Sequence, residues 1–131
     1  MRPTLLLLAS LLLLPGCGDE VENPCDPGNT CQCLGKGDFV SSCTGANCSF
    51  SCEGNFNSVF SCDLGGCTLS AADNVKAQLD CPGNGCKVTC TRGADCTITS
   101  CTKNCSMTCL GVNTRCSMTC TDKETCKITK S

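Results

Sequence analysis

The chain has 131 residues, with 19 Cys, four Phe and no Trp, Tyr or His. That composition excludes an ordinary aromatic-rich core, and without His it excludes the Ser-His and Cys-His nucleophile arrangements. Ten basic against twelve acidic residues, with no cluster of either sign, argue against a nucleic-acid partner.

At the amino terminus, Met1-Arg2 precedes an apolar run from Leu5 to Leu14, broken only by Ala9 and Ser10. A membrane-spanning helix needs about twenty residues, roughly twice this length. The run therefore reads as the core of a signal peptide and is set aside from fold reasoning. It ends in Leu14-Pro15-Gly16-Cys17, which resembles the bacterial lipobox, with Leu three before the Cys and a small residue directly before it. The resemblance implies that residues 1–16 are cut away, that Cys17 is diacylated and that the new amino terminus is acylated. One acyl chain binds a membrane marginally, whereas several anchor stably. The expected contact with the membrane is this lipid anchor. An ordinary secretory signal with a later cut is the alternative, and either signal takes the chain out of the cytoplasm. Gly18 does not carry the Asp signal for inner-membrane retention, so the outer membrane is the expected destination.

Residues 17–37 are expected to hold the lipidated Cys, a polar leader and a cap. Asp19, Glu20, Glu22, Asn23, Pro24, Asp26, Pro27 and Gly28 read as a solvated spacer, and Cys25, Cys31 and Cys33 as staples of the cap.

From residue 38 to 131 the chain repeats. The apolar centres Val40, Phe50, Phe60, Leu69, Leu79, Val88, Ile98, Met107, Met118 and Ile128 are spaced by nine to eleven residues. Thirteen of the twenty positions two residues before or after these centres are Cys, which makes the repeat real. Cys48-Ser49-Phe50-Ser51-Cys52 and Cys86-Lys87-Val88-Thr89-Cys90 alternate with period two, as a half-buried strand does. Between them lie Thr44-Gly45-Ala46-Asn47, Asp63-Leu64-Gly65-Gly66 and Pro82-Gly83-Asn84-Gly85, built from turn residues. The expected fold is all-β: a small disulfide-rich β-solenoid with about ten coils of 9–11 residues. Stacked at about 4.8 Å, those coils would make a rod near 45 Å long. An antiparallel meander is the alternative, but it would leave a face of Cys and Met that no helix covers.

With Cys17 lipidated, eighteen cysteines remain, an even set that in an exported chain reads as a disulfide framework. Cys86 and Cys90 stand about 13 Å apart along one strand, beyond the roughly 7 Å that a disulfide tolerates. The pairs that can meet are joined by a turn: Cys62 with Cys67, Cys81 with Cys86, Cys90 with Cys96, Cys109 with Cys116 and Cys120 with Cys126. The slipped residues Cys43 and Cys101 would take Cys48 and Cys105. Cys25, Cys31, Cys33 and Cys52 are left to pair among themselves, and bonding from coil to coil stays open.

Thr89-Cys90-Thr91-Arg92-Gly93-Ala94-Asp95-Cys96 and Thr119-Cys120-Thr121-Asp122-Lys123-Glu124-Thr125-Cys126 resemble the T-C-T-x-x-x-x-C coils of beetle antifreeze proteins. The resemblance implies coils closed by such disulfides and, in that family, a flat threonine array that binds ice. Most coils here lack the second threonine: Ser51 is followed by Glu53, Ser61 by Asp63 and Thr108 by Leu110. Coil length also wanders, which would break a flat lattice. The position after each centre does hold a series of hydroxyls, Ser41, Ser51, Ser61, Ser70, Thr89, Thr99, Thr108, Thr119 and Thr129, interrupted by Asp80. More broadly, the chain is similar to Cys-rich repeat lipoproteins of Gram-negative bacteria.

Catalytic chemistry is not expected. Asp73, Asp95 and Asp122 read as turn residues, Gly83-Asn84-Gly85 as a turn rather than a phosphate loop, and Asn47-Cys48-Ser49 and Asn104-Cys105-Ser106 as chance glycosylation triplets. Cys31-Gln32-Cys33 and the C-x3-C pairs could present thiolates to a soft metal, yet zinc sites favour closer knuckles, often with His. No cofactor and no metal site is assigned. The expected function is a lipid-anchored structural or surface-interaction module of unknown partner, with soft-metal sequestration and ice binding as alternatives.

Overall fold

Five-residue alternating segments punctuated by Gly, Asn and Pro can form only short strands, and these strands must bury one edge of their pattern against another layer. In the computed structural model, which describes residues 22–33, 37–54 and 57–131, they do so as two stacked sheets. The strands are β1 (Glu22–Cys25), β2 (Thr30–Gln32), β3 (Phe39–Cys43), β4 (Ser49–Glu53), β5 (Asn57–Ser61) and β6 (Thr68–Ala72), followed by β7 (Lys76–Cys81), β8 (Lys87–Thr91), β9 (Asp95–Cys101), β10 (Ser106–Leu110), β11 (Arg115–Met118) and β12 (Lys127–Lys130). Among the described residues there is no helix.

Odd-numbered strands form one six-stranded sheet, here sheet A, and even-numbered strands form a second, sheet B. Both are parallel throughout and ordered as in the chain. Val40 is paired with Val59, Val59 with Gln78 and Gln78 with Thr97, a step of nineteen residues each time. The fold is a β-solenoid, but the expectation of about ten coils of 9–11 residues is corrected: each such unit is half a coil. The reason is geometric. A five-residue strand advances the chain by roughly 13–17 Å, and a turn of about five residues that also reverses direction cannot carry it back to the start. The return journey becomes a strand itself, on the opposite face. Six rungs at about 4.8 Å span roughly 24 Å rather than 45 Å.

The core lies between the sheets. Phe39, Phe60, Leu79 and Ile98 of sheet A and Phe50, Leu69, Val88 and Met107 of sheet B are all buried. Phe60 packs on Phe50 at 4.5 Å between centroids and on Phe39 at 6.1 Å. Two expected centres sit differently. Val40 faces outward because β3 is shifted by one residue, so that Phe39 and Ser41 point inward, and Ile128 is 41% exposed on the last rung. Residues 22–33, expected to divide between a solvated spacer and a stapled cap, supply the first rung: β1 is in register with β3, and β2 with β4.

Left-handed residues make the corners. Gly28, Asn47, Gly66, Gly85 and Asn104 all have φ between 59° and 80°, and they recur every nineteen residues at the corner leading from sheet A to sheet B. Gly and Asn are the residues that tolerate this region best.

Candidate functional site

The alternation that buries one set of side chains presents the other to solvent, and the two sheets present different chemistry. On sheet B, Thr30, Ser49, Thr68, Lys87, Ser106 and Lys127 form one in-register column. Gln32, Ser51, Ser70, Thr89, Thr108 and Thr129 form a second, two residues along each strand. Nine of these twelve side chains are hydroxyls, and none is a carboxylate. The Thr68 hydroxyl donates to the Ser49 hydroxyl at 3.0 Å, linking two rungs of the ladder.

Sheet A carries mixed charge. Asn57, Lys76, Asp95 and Arg115 align in one column, so each basic residue there has a carboxylate on the neighbouring rung. Asp95 thus opens a strand, which corrects its reading as a turn residue; Asp73 and Asp122 do lie in turns. A bulge between Leu79 and Asp80 lets both Thr99 and Ser100 donate to the Asp80 carboxylate. Asn57, Val59, Lys76 and Gln78 border a shallow groove of about 290 Å³ on this face.

The corners hold the sulfur. Six bridges, Cys25–Cys31, Cys43–Cys48, Cys62–Cys67, Cys81–Cys86, Cys101–Cys105 and Cys120–Cys126, close the turns from sheet A to sheet B, one per rung. At the opposite corner, Cys90–Cys96 and Cys109–Cys116 close turns, while Cys33–Cys52 joins one rung to the next. The structure therefore brings together every turn-joined pair expected above, and the four remaining cysteines pair among themselves. Their Cα separations, 4.9 to 6.6 Å, fit a disulfide. Cys33 bonds upward because its own turn ends in Phe39 and Ser41, whereas Cys52 lies in register one rung above it. The middle turn of this corner has Ala71 and Ala77 where the next turn has Cys90 and Cys96 and the preceding one has Cys52 and Ser58.

Stacking places the sulfurs of successive rungs in contact: those of Cys43, Cys48 and Cys67 lie within 4.8 Å of one another, as do those of Cys101, Cys120 and Cys126. A metal ligand must be a thiolate, and all eighteen described cysteines are in disulfides. Among the described residues, the ion pairs involve only Arg92, which is exposed and grips Asp73 with two nitrogens at 2.6 and 3.0 Å and approaches Glu53 at 3.6 Å. Hydrogen bonds to Asp73, and then its charge, hold the Arg92 pKa above its usual value.

Cys17 and the signal segment 1–16 lie outside the described residues. Among the described residues, no helix is long and apolar enough to cross a membrane. The column through Thr30, Ser49 and Thr68 lies one residue before each inward-facing centre and is not among the hydroxyls expected from the sequence, which follow each centre. Its signal is the nineteen-residue recurrence of Ser49, Thr68, Lys87 and Ser106. No protein-family model, curated protein or solved structure matches this chain.

Proposed function

We propose that this chain is a lipid-anchored, disulfide-stapled structural and surface-interaction module of the cell envelope, without a catalytic role. The observation that carries the reading is the corner ladder of bridges, one on each of six rungs. Disulfides at this density belong to oxidising compartments outside the cytosol. The lipobox-like segment ending at Cys17 supplies the anchor, and Gly18 leaves the outer membrane as its destination. The chain has no His, and the buried polar residues among those described are Ser41 and Ser58, so we read the exposed sheets as surfaces for contact rather than centres for chemistry.

Intact mass of the native protein, before and after reduction, tests both parts. The expected difference is eighteen hydrogens, two for each of nine bridges, on a chain that begins at triacylated Cys17. Free thiols with stoichiometric zinc or copper would overturn the reading in favour of soft-metal sequestration.

A second reading, ice binding, is favoured by one observation. Unit lengths of nine and ten alternate, and their irregularity cancels in pairs: sheet B steps by nineteen residues at four successive rungs. The hydroxyl columns are therefore not broken by the wandering spacing, although Gln32, Lys87 and Lys127 interrupt them. A gap between melting and freezing points in solutions of the protein supports this reading, and coincident points reject it.

A further inference from the structure

We infer that the carboxyl-terminal half of sheet B, over β8, β10 and β12, is a docking face for a linear anionic polysaccharide lying along the solenoid axis. This deepens the surface-interaction reading by naming a partner, and it rests on that reading.

Charge carries the first step. Lys87, Ser106 and Lys127 are consecutive members of one column, so the two ammonium groups project from rungs two steps apart, roughly 9–10 Å. Both lysines are exposed. On sheet A, Lys76 and Arg115 stand in register on either side of Asp95, whose carboxylate offsets part of their charge. Arg92 is occupied by Asp73 and Glu53. No outward position on β8, β10 or β12 is acidic, so on this face no carboxylate in the columns offsets Lys87 and Lys127. From Lys76 to Ser131 the chain has eight basic and four acidic residues, which reinforces the local field.

Surface chemistry narrows the partner. Thr89, Ser106, Thr108 and Thr129 surround the lysines with groups that both donate and accept hydrogen bonds. A polymer rich in hydroxyls can exchange such bonds rung by rung, while carboxylates or sulfates on alternate sugars meet Lys87 and Lys127. The outward side chains of the two columns are all polar, and the pocket lined by Met118, Cys126 and Ile128 takes none of its lining from them, so the face itself gives a peptide side chain or an acyl chain no apolar seat. Nor do they offer an aromatic platform on which a nucleic-acid base could stack. Flatness and a repeat along one axis suit an extended, regular chain.

The test titrates the full chain, bridges intact, with polygalacturonate, using its fully methyl-esterified form and polyglutamate as comparators. Binding to polygalacturonate is expected to weaken with salt and to fall roughly tenfold or more in K87E/K127E. K103E/K123E changes the net charge equally, at turn residues off the face, and is expected to bind as the parent does. Both variants are first checked by mass for the parent's set of bridges. The inference is overturned by absence of binding, by equal loss in both variants, or by equal affinity for polyglutamate or the esterified polymer. None of those results would touch the anchor or the bridges, so failure here is distinct from failure of the envelope reading.

Discussion

A single carbon added at Gly83 would sit 2.5 Å from the backbone nitrogen of Gly65 and 2.7 Å from the carbonyl carbon of Leu64. Neither atom belongs to a flexible side chain, so the turn between β7 and β8 would have to lift from the turn below it. Gly83→Ala is expected to destabilise the protein by about 1–3 kcal/mol, as overpacking does. Gly85, two residues on, has φ +74° and nothing within 4 Å of the added carbon. Asn47 and Asn104 hold the equivalent position in other rungs, so Gly85→Asn is expected to be nearly neutral. Thermal unfolding of the two variants, with bridges intact, checks the contrast; equal melting temperatures would show that the turns do not stack in contact. The turns were legible in the sequence as turns, through Gly, Asn and Pro. Their contact with one another was not, because it depends on which turns share a corner. The clue was nonetheless present: Gly28, Asn47, Gly66, Gly85 and Asn104 recur every nineteen residues, twice the unit that the apolar centres suggest.

Strands and their closing bridges were the most readable elements. Each of the ten units from residue 38 onward became a strand within one or two residues of its apolar centre's flanks. Period-two alternation fixes a strand's inner and outer faces locally. It says nothing of which sheet the strand joins, which is why half a coil passed for a whole one. The Cys pairs were readable for the same local reason, since a turn brings together cysteines four to seven positions apart at low entropic cost. Each such bridge removes about 2 kcal/mol of loop-closure freedom from the unfolded chain. Ala71 and Ala77 flank the β6–β7 turn, which has no bridge of its own and stacks against the bridged β8–β9 turn. They align with Cys90 and Cys96, whose Cα atoms are 6.2 Å apart. The double variant A71C/A77C is therefore expected to form a tenth bridge between those positions. Its mass should change by twenty hydrogens on reduction instead of the parent's eighteen, and its melting temperature should rise. Free thiols at both positions would show that this corner does not repeat its neighbours' geometry.

For the whole molecule, stability divides between a narrow core and the staples. Phe39, Phe50 and Phe60 gather in the first rungs, while Leu79, Val88, Ile98 and Met107 fill the later ones. A two-layer core with one large apolar side chain on each of β3 to β10 is thin, and complete reduction with alkylation is expected to abolish the strand signal in circular dichroism. The candidate face is a property of this scale alone. Ser49, Thr68, Lys87 and Ser106 are separated by nineteen residues in the chain, and only stacking makes them neighbours. The coil length itself can be tested by deletion. Removing residues 68–86 takes out one full turn, β6 and β7 with Cys81–Cys86, and joins Cys67 to Lys87 just as Cys86 was joined. Every remaining strand keeps its face, because β4 can pair with β8 and β5 with β9 in unchanged alternation. This shortened protein is expected to fold with eight bridges and to lose sixteen hydrogens on oxidation. Removing only residues 68–77, a single ten-residue unit, would instead move each later strand to the opposite sheet relative to the rungs below. Sheet B would inherit the bulged β9, and Cys62–Cys67 would be followed by a turn of the wrong corner, so scrambled bridges are expected. Solenoid proteins tolerate the loss of whole repeats because each repeat touches only its neighbours. Clean folding of the ten-residue deletion, with failure of the nineteen-residue one, would show that the coil is one strand long.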